Sequence, residues 1–430
     1  MTRAALQRRT LRVLIAAQVL GGLGQAGATA GALLALDMTG SEALASLPLA
    51  LLVVGSAATV IPVSALSRRA GRRVGLTVSL GIAAVGAAGV VAGAELEDFA
   101  LVLVASVLFG AGNTAVMLAR YAAADLSTPS QRGRAIGLVV FATTFGAVAG
   151  PNLLEPAGRL AGALGLPELS GLYLFAAAAF SLAAVVLFAL LRPDPLQVAA
   201  ALESGAAEPA AVAGAPRVPL RTLLAPAAAI TGLATIVVAN LVMVAVMVMA
   251  PVQMHHQGHG LRLIGLVISL HIAGMFAPAP LTGRLTDRLG PLPVAAAGAA
   301  LLVVAGALAA TTQQAIPFAV ALALLGAGWN ACLIAGSVML ASAIAVAQRP
   351  RAEGAGELSM GVAATMAPPP PGPWLARPAT RRSRSPPPSP QPRSLRSCSR
   401  SPGEACRPSP SQRPECSREP GHVPNRTRHP

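Results

Sequence analysis

Long apolar runs dominate this chain and restrict what it can fold into. A helix that crosses the hydrocarbon core of a bilayer needs about 20 predominantly apolar residues. Ten such runs can be recognised: 11–36, 44–66, 74–94, 99–121, 135–154, 171–191, 226–251, 263–283, 292–310 and 316–345. Charged residues make up only 11% of the chain, against about 25% in a typical soluble domain. We therefore predict an all-α membrane protein whose main surroundings are the lipid bilayer.

The distribution of arginine predicts how these spans are oriented. All 32 basic residues are arginine, and 12 of them lie in residues 368–430. If the N-terminus is cytoplasmic, 18 of the other 20 lie on the cytoplasmic side, which leaves only Arg159 and Arg262 outside. Cytoplasmic loops of membrane proteins carry such an excess. The absence of lysine in a chain rich in alanine and glycine points to a GC-rich bacterial genome. We expect a multi-pass protein of the bacterial cytoplasmic (inner) membrane with a cytoplasmic N-terminus, and no nucleic-acid partner, because no folded basic surface is indicated.

Two short motifs recur at nearly the same spacing. SQRGRAIG at 130–137 returns as AQRPRAEG at 347–354, an offset of 217 residues. ALSRRAG at 65–71 corresponds to RLTDRLG at 284–290, an offset of 219. Each pair follows equivalent spans, so we predict two homologous six-helix halves in the same orientation. The predicted divisions are an N-terminal half (1–191), a cytoplasmic linker (192–225), a C-terminal half (226–367) and a tail (368–430).

The second half is expected to be incomplete. By the 217-residue offset, the fifth and sixth spans map to 352–371 and 388–408. The first begins as an apolar helix near Leu358 but meets four prolines, and a helix-interior proline costs ~3 kcal/mol or more. The second contains four arginines, each of which costs about 2.5–3.5 kcal/mol at a helix centre. We predict ten full spans, a partial eleventh, and a disordered tail foreign to the fold. A shifted reading frame, a natural truncation and a genuine basic tail are the alternative origins.

The loop after the eighth predicted span resembles a signature of a known transporter family. GRLTDRLG matches the loop G-x-L-x-D-R-x-G-R-R of the major facilitator superfamily, although Pro291 and Leu292 replace the last basic pair. In the first-half copy, Arg68 stands where the family has aspartate. The matching residues are Gly283, Asp287, Arg288 and Gly290, and in the first half Arg69, Gly71, Arg72 and Arg73. The resemblance implies a major facilitator-type bundle in which this cytoplasmic gating loop latches the two halves through charge pairs and helix ends. A pair of solvated loop charges is the alternative.

The fifth span carries a second motif. GAVAGP at 146–151 resembles the fifth-helix motif G-x-x-x-G-P-x-x-G-G of the superfamily's drug–proton antiporters. The matching residues are Gly146, Gly150 and Pro151. Those antiporters also carry a fourth-helix arginine four residues before a glycine; if that glycine is Gly110, Ser106 stands in the place of the arginine. The run 249–276 is similar to a bacterial, drug-efflux-like branch. The missing arginine argues against proton antiport by that branch's usual route.

Polar residues occur near the middle of the four spans that line the central cavity in this family. They are Gln25, Asn113, Asn240 and Asn330, with Trp329 beside the last. A polar group in hydrocarbon is costly unless it has a partner or faces a cavity, so we predict a ring of substrate-cavity residues. Interhelical hydrogen bonding, worth about 0.6 kcal/mol on average, is the alternative. His271 in the eighth span could carry a coupling proton or pack as a neutral side chain. Asp37 is a weaker coupling candidate that could instead cap or hydrate the end of the first span.

The expected function follows from the predicted bundle and its cavity. There is no phosphate-binding loop for ATP and no catalytic constellation, so we expect neither an enzyme nor any cofactor or metal ion. We predict a monomeric secondary transporter that exports a small organic solute by alternating access. Few ionisable groups reach the cavity, so a neutral or lipophilic solute is favoured, with protons as a candidate coupling ion. The competing hypothesis is a non-transporting product, either truncated, frameshifted or converted to a membrane sensor.

Overall fold

The computed structural model describes residues 2–205, 218–256, 261–312 and 314–365, and the regular structure within these ranges is helical throughout. The α-helices are α1 (Arg3–Gln25), α2 (Gly31–Thr39), α3 (Leu47–Ala70), α4 (Arg72–Glu95), α5 (Phe99–Phe109), α6 (Ala111–Asp125), α7 (Arg132–Asn152), α8 (Leu154–Ala163), α9 (Gly171–Leu190), α10 (Pro195–Ser204), α11 (Leu220–Leu223), α12 (Ala227–His256), α13 (Leu261–Phe276), α14 (Ala279–Leu289), α15 (Pro291–Thr311), α16 (Ala315–Ala343) and α17 (Arg349–Thr365). The predicted tail, 368–430, lies outside the described residues.

Nine segments within the described ranges are long and apolar enough to cross a membrane. They are Arg3–Thr39, Leu47–Ala70, Arg72–Glu95, Phe99–Asp125, Glu168–Ser204, Ala227–Ala250, Leu263–Leu289, Pro291–Thr311 and Ala315–Ala343. Each one contains a predicted apolar run or most of one. The predicted fifth span is also helical, as α7, but is not among the nine. The prediction of a multi-span helical membrane protein is therefore confirmed at the level of its architecture.

Two of the long segments are broken near their middle. In the fourth, α5 and α6 meet at Gly110, where a Cβ would collide with the carbonyl oxygen of Leu52 on α3. In the seventh, Leu263–Leu289, α13 ends just before Pro278 and α14 begins after it. Proline lacks the backbone N–H that would continue a helix. The absence of a side chain at Gly110 therefore allows α3 to pack closely against this segment.

The internal repeat is visible in the backbone. Gly71 and Gly290, which the sequence offset pairs, have nearly identical conformations, with φ of 93° and 90°. Such positive φ values favour glycine, which has no Cβ to clash. The second pair of motifs behaves in the same way, because α7 and α17 each start directly after a 3-10 turn, at Arg132 and Arg349. Related sequence segments therefore adopt matching local structures at the offsets of 219 and 217 residues.

The predicted linker, 192–225, includes a docked helix. Asp194 caps α10 by accepting hydrogen bonds from the backbone N–H groups of its first turn, at 3.0 and 3.3 Å. The apolar side of α10 packs with Leu6 of α1, Leu126 after α6 and Val346 before α17. Glu203 also accepts a hydrogen bond from the Val346 backbone N–H at 2.9 Å. This helix therefore contacts segments from both predicted halves.

Two sequence-based placements are wrong in detail. The eleventh helix was predicted to start near Leu358 but begins at Arg349, because its first turns bury charged side chains against partners rather than in lipid. Arg120 was counted among the 18 arginines of the cytoplasmic loops and N-terminus, but it lies within α6 and is only 1% exposed. Charge alone suggested a loop, whereas tertiary contacts supply the partner that makes burial tolerable.

Candidate transport site and family

A cavity of about 270 Å³ lies between helices of both predicted halves. Helices α3 and α6 form one side, and α12, α13, α16 and α17 form the other. Its polar lining includes Asn113, Asn240, Trp329 and Glu357. Its apolar lining includes Phe276 and the methionines Met117, Met275 and Met360. Three of the five residues predicted to surround a substrate thus line one cavity.

Asn240 organises the second-half side of this cavity. Its Nδ2 donates a hydrogen bond to the Met360 carbonyl oxygen at 2.9 Å, and its Oδ1 accepts one from Trp329 Nε1 at 3.2 Å. The Trp329 ring meets Phe276 edge to face, with centroids 6.2 Å apart. One amide therefore joins α12 to α16 and α17 and sets the orientation of the indole.

Hydroxyl and amide groups form the first-half side. Asn113 Nδ2 donates to Ser56 Oγ at 3.0 Å, and the Ser56 and Thr114 hydroxyl oxygens are 3.2 Å apart. Thr59 Oγ1 lies 2.9 Å from Thr114 Oγ1. These groups belong to α3 and α6, so their hydrogen bonds hold the two helices together next to the cavity. The cluster offers polar atoms without a formal charge.

An ion pair that sequence analysis missed reaches the cavity. Arg120 on α6 donates through Nη2 to the carboxylate of Glu357 on α17, and through Nε to Ser337 Oγ at 3.0 Å. Its guanidinium carbon also lies 4.4 Å from the centre of the Tyr121 ring. Glu357 lines the cavity, whereas Arg120 is buried behind it. Two sequence features could have indicated this pair: Arg120 is a single arginine within an apolar run, and Glu357 is a glutamate within the expected eleventh span.

A second buried charge cluster joins α4, α6 and α17. Arg72 Nε lies 2.8 Å from Asp125 Oδ2, and Arg72 Nη2 lies 2.7 Å from Glu353 Oε2. Arg349 Nη1 is 3.8 Å from Asp125 Oδ1. These side chains are at most 4% exposed. Buried charges of this kind stabilise a fold only as a matched set, since removal of one partner leaves another uncompensated. Arg72 of the first-half loop thus contacts the second half.

The second-half loop contacts the start of α7 in the first half. Asp287 Oδ1 accepts a hydrogen bond from the Gly133 backbone N–H at 2.7 Å, and Oδ2 accepts one from the Arg134 backbone N–H at 2.8 Å. These donors form the first turn of α7, where free N–H groups and the helix dipole favour an anion. A Cβ at Gly283 would collide with the Gly133 carbonyl oxygen, so the two helices touch at backbone level. Arg288 is exposed beside this contact.

The remaining predicted residues of the first-half loop and of the fifth-helix motif lie away from the Asp287 contact. Arg69 is exposed, and the Arg73 backbone N–H donates to Asp194 Oδ2 at 2.8 Å. Gly146 packs directly on Gly22 of α1, where a Cβ on either residue would clash. Gly150 and Pro151 lie in the last turn of α7.

The remaining predicted site residues do not line the cavity. Gln25 is half-buried at the end of α1, and its Nε2 has no hydrogen-bond partner among the described residues. Asn330 is fully buried and donates to a backbone carbonyl of α13 at 2.7 Å. His271 is 1% exposed, with Nδ1 2.8 Å from a carbonyl oxygen of α16. Asp37 is exposed on α2.

Comparison with known proteins decides the family. The family model described as Major Facilitator Superfamily matches residues 14–368. This chain belongs to the major facilitator superfamily. The match covers every helix that contributes to the cavity and to the two charge clusters, so these contacts are features of a major facilitator transporter. Members of this family are transporters rather than enzymes, as the sequence analysis predicted.

Relatives and solved structures agree with this assignment. The chain is 40% identical over 356 residues to the MFS-type transporter YdeG of Bacillus subtilis, covering 81% of this chain and 82% of YdeG. It is 30% identical over 369 residues to the riboflavin transporter RfnT of Brucella anthropi, covering 84% and 87%. The structure of the human organic anion transporter MFSD10 (TETRAN) superposes with a TM-score of 0.65 at 18% identity, covering 84% of this chain and 92% of MFSD10. The last comparison supports the fold alone.

Proposed function

We propose that this chain is a secondary active transporter that exports a small neutral or lipophilic organic solute by alternating access. The observation that carries the proposal is the cavity of about 270 Å³ between α3 and α6 on one side and α12, α13, α16 and α17 on the other. A site shared by two halves can open alternately to either side of a membrane as the halves rock about it. A binding position shared between both halves is what such a cycle requires.

The lining chemistry supports a neutral solute. Glu357 is the acidic side chain that reaches the cavity, and Arg120 balances its charge. The other polar groups are amides, hydroxyls and an indole, while methionine and phenylalanine supply adaptable apolar surface. A strongly charged solute would lack a free counter-ion among these residues. The description of the relative RfnT as a riboflavin transporter further supports an organic solute.

Protons are the proposed coupling ion, and Glu357 is their proposed carrier. A proton on the Glu357 carboxylate would cancel its charge and release Arg120 from the ion pair that ties α6 to α17. Proton binding would thereby change the contact between the two halves. We favour Glu357 over His271 and Asp37, because neither of those lines the cavity.

The proposed membrane arrangement follows the sequence analysis. We propose a monomer with ten full spans, a partial eleventh and a cytoplasmic N-terminus, divided into segments 1–191, 192–225, 226–367 and 368–430. With this orientation, the Asp287 contact and the Arg72 cluster lie on the cytoplasmic side. They would hold that side closed and would have to separate when the cavity opens to the cytoplasm.

Transport into inverted membrane vesicles tests the proposal. The full chain should accumulate riboflavin or another member of a panel of neutral fluorescent solutes when the lumen is acidified, and a protonophore should abolish the accumulation. Glu357→Gln should lose gradient-driven accumulation but retain solute exchange, whereas the exposed control Glu42→Gln should behave as wild type. Absence of uptake for every solute would support the non-transporting alternative. Gradient-driven uptake that is unchanged in Glu357→Gln would refute the proposed proton carrier.

A further inference from the structure

A groove of about 670 Å³ lies between the first turns of α1 and α7, away from the transport cavity. On α1 its lining residues follow helical spacing and define one face: Arg3, Ala4, Gln7, Arg8, Leu11, Arg12 and Ile15. On α7 and the preceding turn the lining includes Gln131, Arg134, Ala135 and Leu138, again with spacings of three and four. Residues with these spacings lie on one side of a helix. The groove is therefore walled by two adjacent helix faces.

One end of the groove is strongly basic. Arg3, Arg8, Arg12 and Arg134 line it, and no acidic residue is among its lining residues. Arg3 is held in place, since its Nε and Nη2 donate to the carbonyl oxygens of residues 126 and 127 at 3.0 and 3.2 Å. Arg8 and Arg12 are exposed, and their described contact is one bond of 3.4 Å from Arg12 Nε to the Arg8 carbonyl oxygen. Their guanidinium groups can therefore turn toward an anion.

The groove changes from basic to apolar along both helices. Its lining proceeds on α1 from Arg8 to Leu11 and Ile15, and on α7 from Arg134 to Leu138. Both helices start at the same end of the bundle, because Arg3 of α1 contacts the segment directly before α7. Phe145 lies about two helical turns beyond Leu138 on the same face of α7, and its side chain is 56% exposed. An exposed phenylalanine there indicates that this face meets hydrocarbon rather than another helix.

We propose that this groove binds an anionic phospholipid, with the phosphate among the arginines and one acyl chain along Leu11, Ile15 and Leu138. The positive charge of the arginines at the helix starts attracts the phosphate. The apolar lining residues can contact an acyl chain that continues into the bilayer. A free inorganic anion would contact the arginines but not the apolar lining residues. A zwitterionic lipid would contact the apolar residues but would be attracted less strongly by the arginines. This site is separate from the solute cavity and does not depend on the proposed transport function.

Native mass spectrometry of the full chain in detergent tests the site with defined lipids. Dioleoyl-phosphatidylglycerol should bind more tightly than dioleoyl-phosphatidylcholine. Arg8→Gln/Arg12→Gln should weaken phosphatidylglycerol binding by about thirtyfold, which corresponds to ~1 kcal/mol for each arginine near an anionic headgroup. Arg8→Lys/Arg12→Lys, which keeps both charges, should retain most of the affinity. Every variant contains the same 12 arginines after residue 367, so their background contribution cancels in the comparison.

Two controls separate this site from general surface attraction. Arg221→Gln/Arg284→Gln removes two exposed arginines that lie outside the groove and should leave phosphatidylglycerol affinity unchanged. Leu138→Gln keeps all four arginines and should weaken binding by about tenfold through loss of apolar contact. Equal losses in the two arginine pairs, or equal binding of the two lipids, would overturn the proposal. Displacement of the lipid by glycerol 1-phosphate at similar concentration would show a free-anion site instead.

Discussion

Replacement of Asp287 by asparagine should weaken the closure of the proposed cytoplasmic side. The carboxylate accepts two backbone hydrogen bonds, at 2.7 and 2.8 Å, from the start of α7. Asparagine keeps one acceptor oxygen and presents an N–H₂ group to the other donor, so one charge-assisted bond is lost. Such a bond contributes about 1.5–3 kcal/mol, and the helix-end interaction a further ~0.3–1 kcal/mol. Because Asp287 is half-buried, we take a total of about 2 kcal/mol, a thirtyfold rise in the ratio of open to closed molecules.

Distance measurements between spin labels can detect this shift. Labels at Ser130→Cys and Leu285→Cys, in a background without the four native cysteines, would report separation of α7 from α14. Asp287→Asn should increase the population of long distances, and the exposed control Glu155→Gln should not. A distance distribution that is identical in wild type and Asp287→Asn would refute the argument. It would mean that the loop charges are solvated and contribute nothing to closure.

Three further substitutions probe the packing and the cavity. Gly283→Ala should lower the melting temperature because its Cβ would collide with the Gly133 carbonyl oxygen; Gly306→Ala, which meets no atom within 4 Å, should not lower it. Arg72→Gln should destabilise the protein by about 3–5 kcal/mol, since buried Glu353 loses its cation and Asp125 keeps only the longer contact with Arg349; a loss of unfolding free energy below about 1 kcal/mol, measured by circular dichroism during denaturation, would contradict this. Trp329→Phe removes an indole hydrogen bond worth about 1 kcal/mol; it should raise KM for the solute with little change in protein yield, and an equal loss of yield and transport would favour a packing role.

The loop motifs show how far a resemblance and local sequence together anticipate a tertiary contact. Gly71 and Gly290 require a positive φ, and an aspartate three residues before the second glycine is suited to meet a helix start. The latch itself was implied by the resemblance of this loop to the family signature, and the structure places Asp287 on the first turn of α7. In the first half, Arg68 at the equivalent position cannot accept those bonds. There the halves are joined instead by the Arg72 cluster.

The membrane architecture could be predicted from sequence because the bilayer imposes it. Hydrocarbon requires spans of about 20 apolar residues with all backbone groups paired internally, so composition alone indicates helices and their approximate limits. The sequence also indicated the repeat, since matching segments must start and end helices in matching ways. These properties depend on neighbours within one turn or one span.

Only the tertiary structure decided which polar side chains meet. Arg120 and Glu357 are separated by 237 positions, and no local pattern shows that they form a pair. Adjacent residues also diverge, since Trp329 lines the cavity while Asn330 is buried against α13. Successive side chains on a helix point about 100° apart, given 3.6 residues per turn. The sequence could thus predict roughly where along a helix a polar side chain lies, whereas the direction of each side chain depended on how the helices pack.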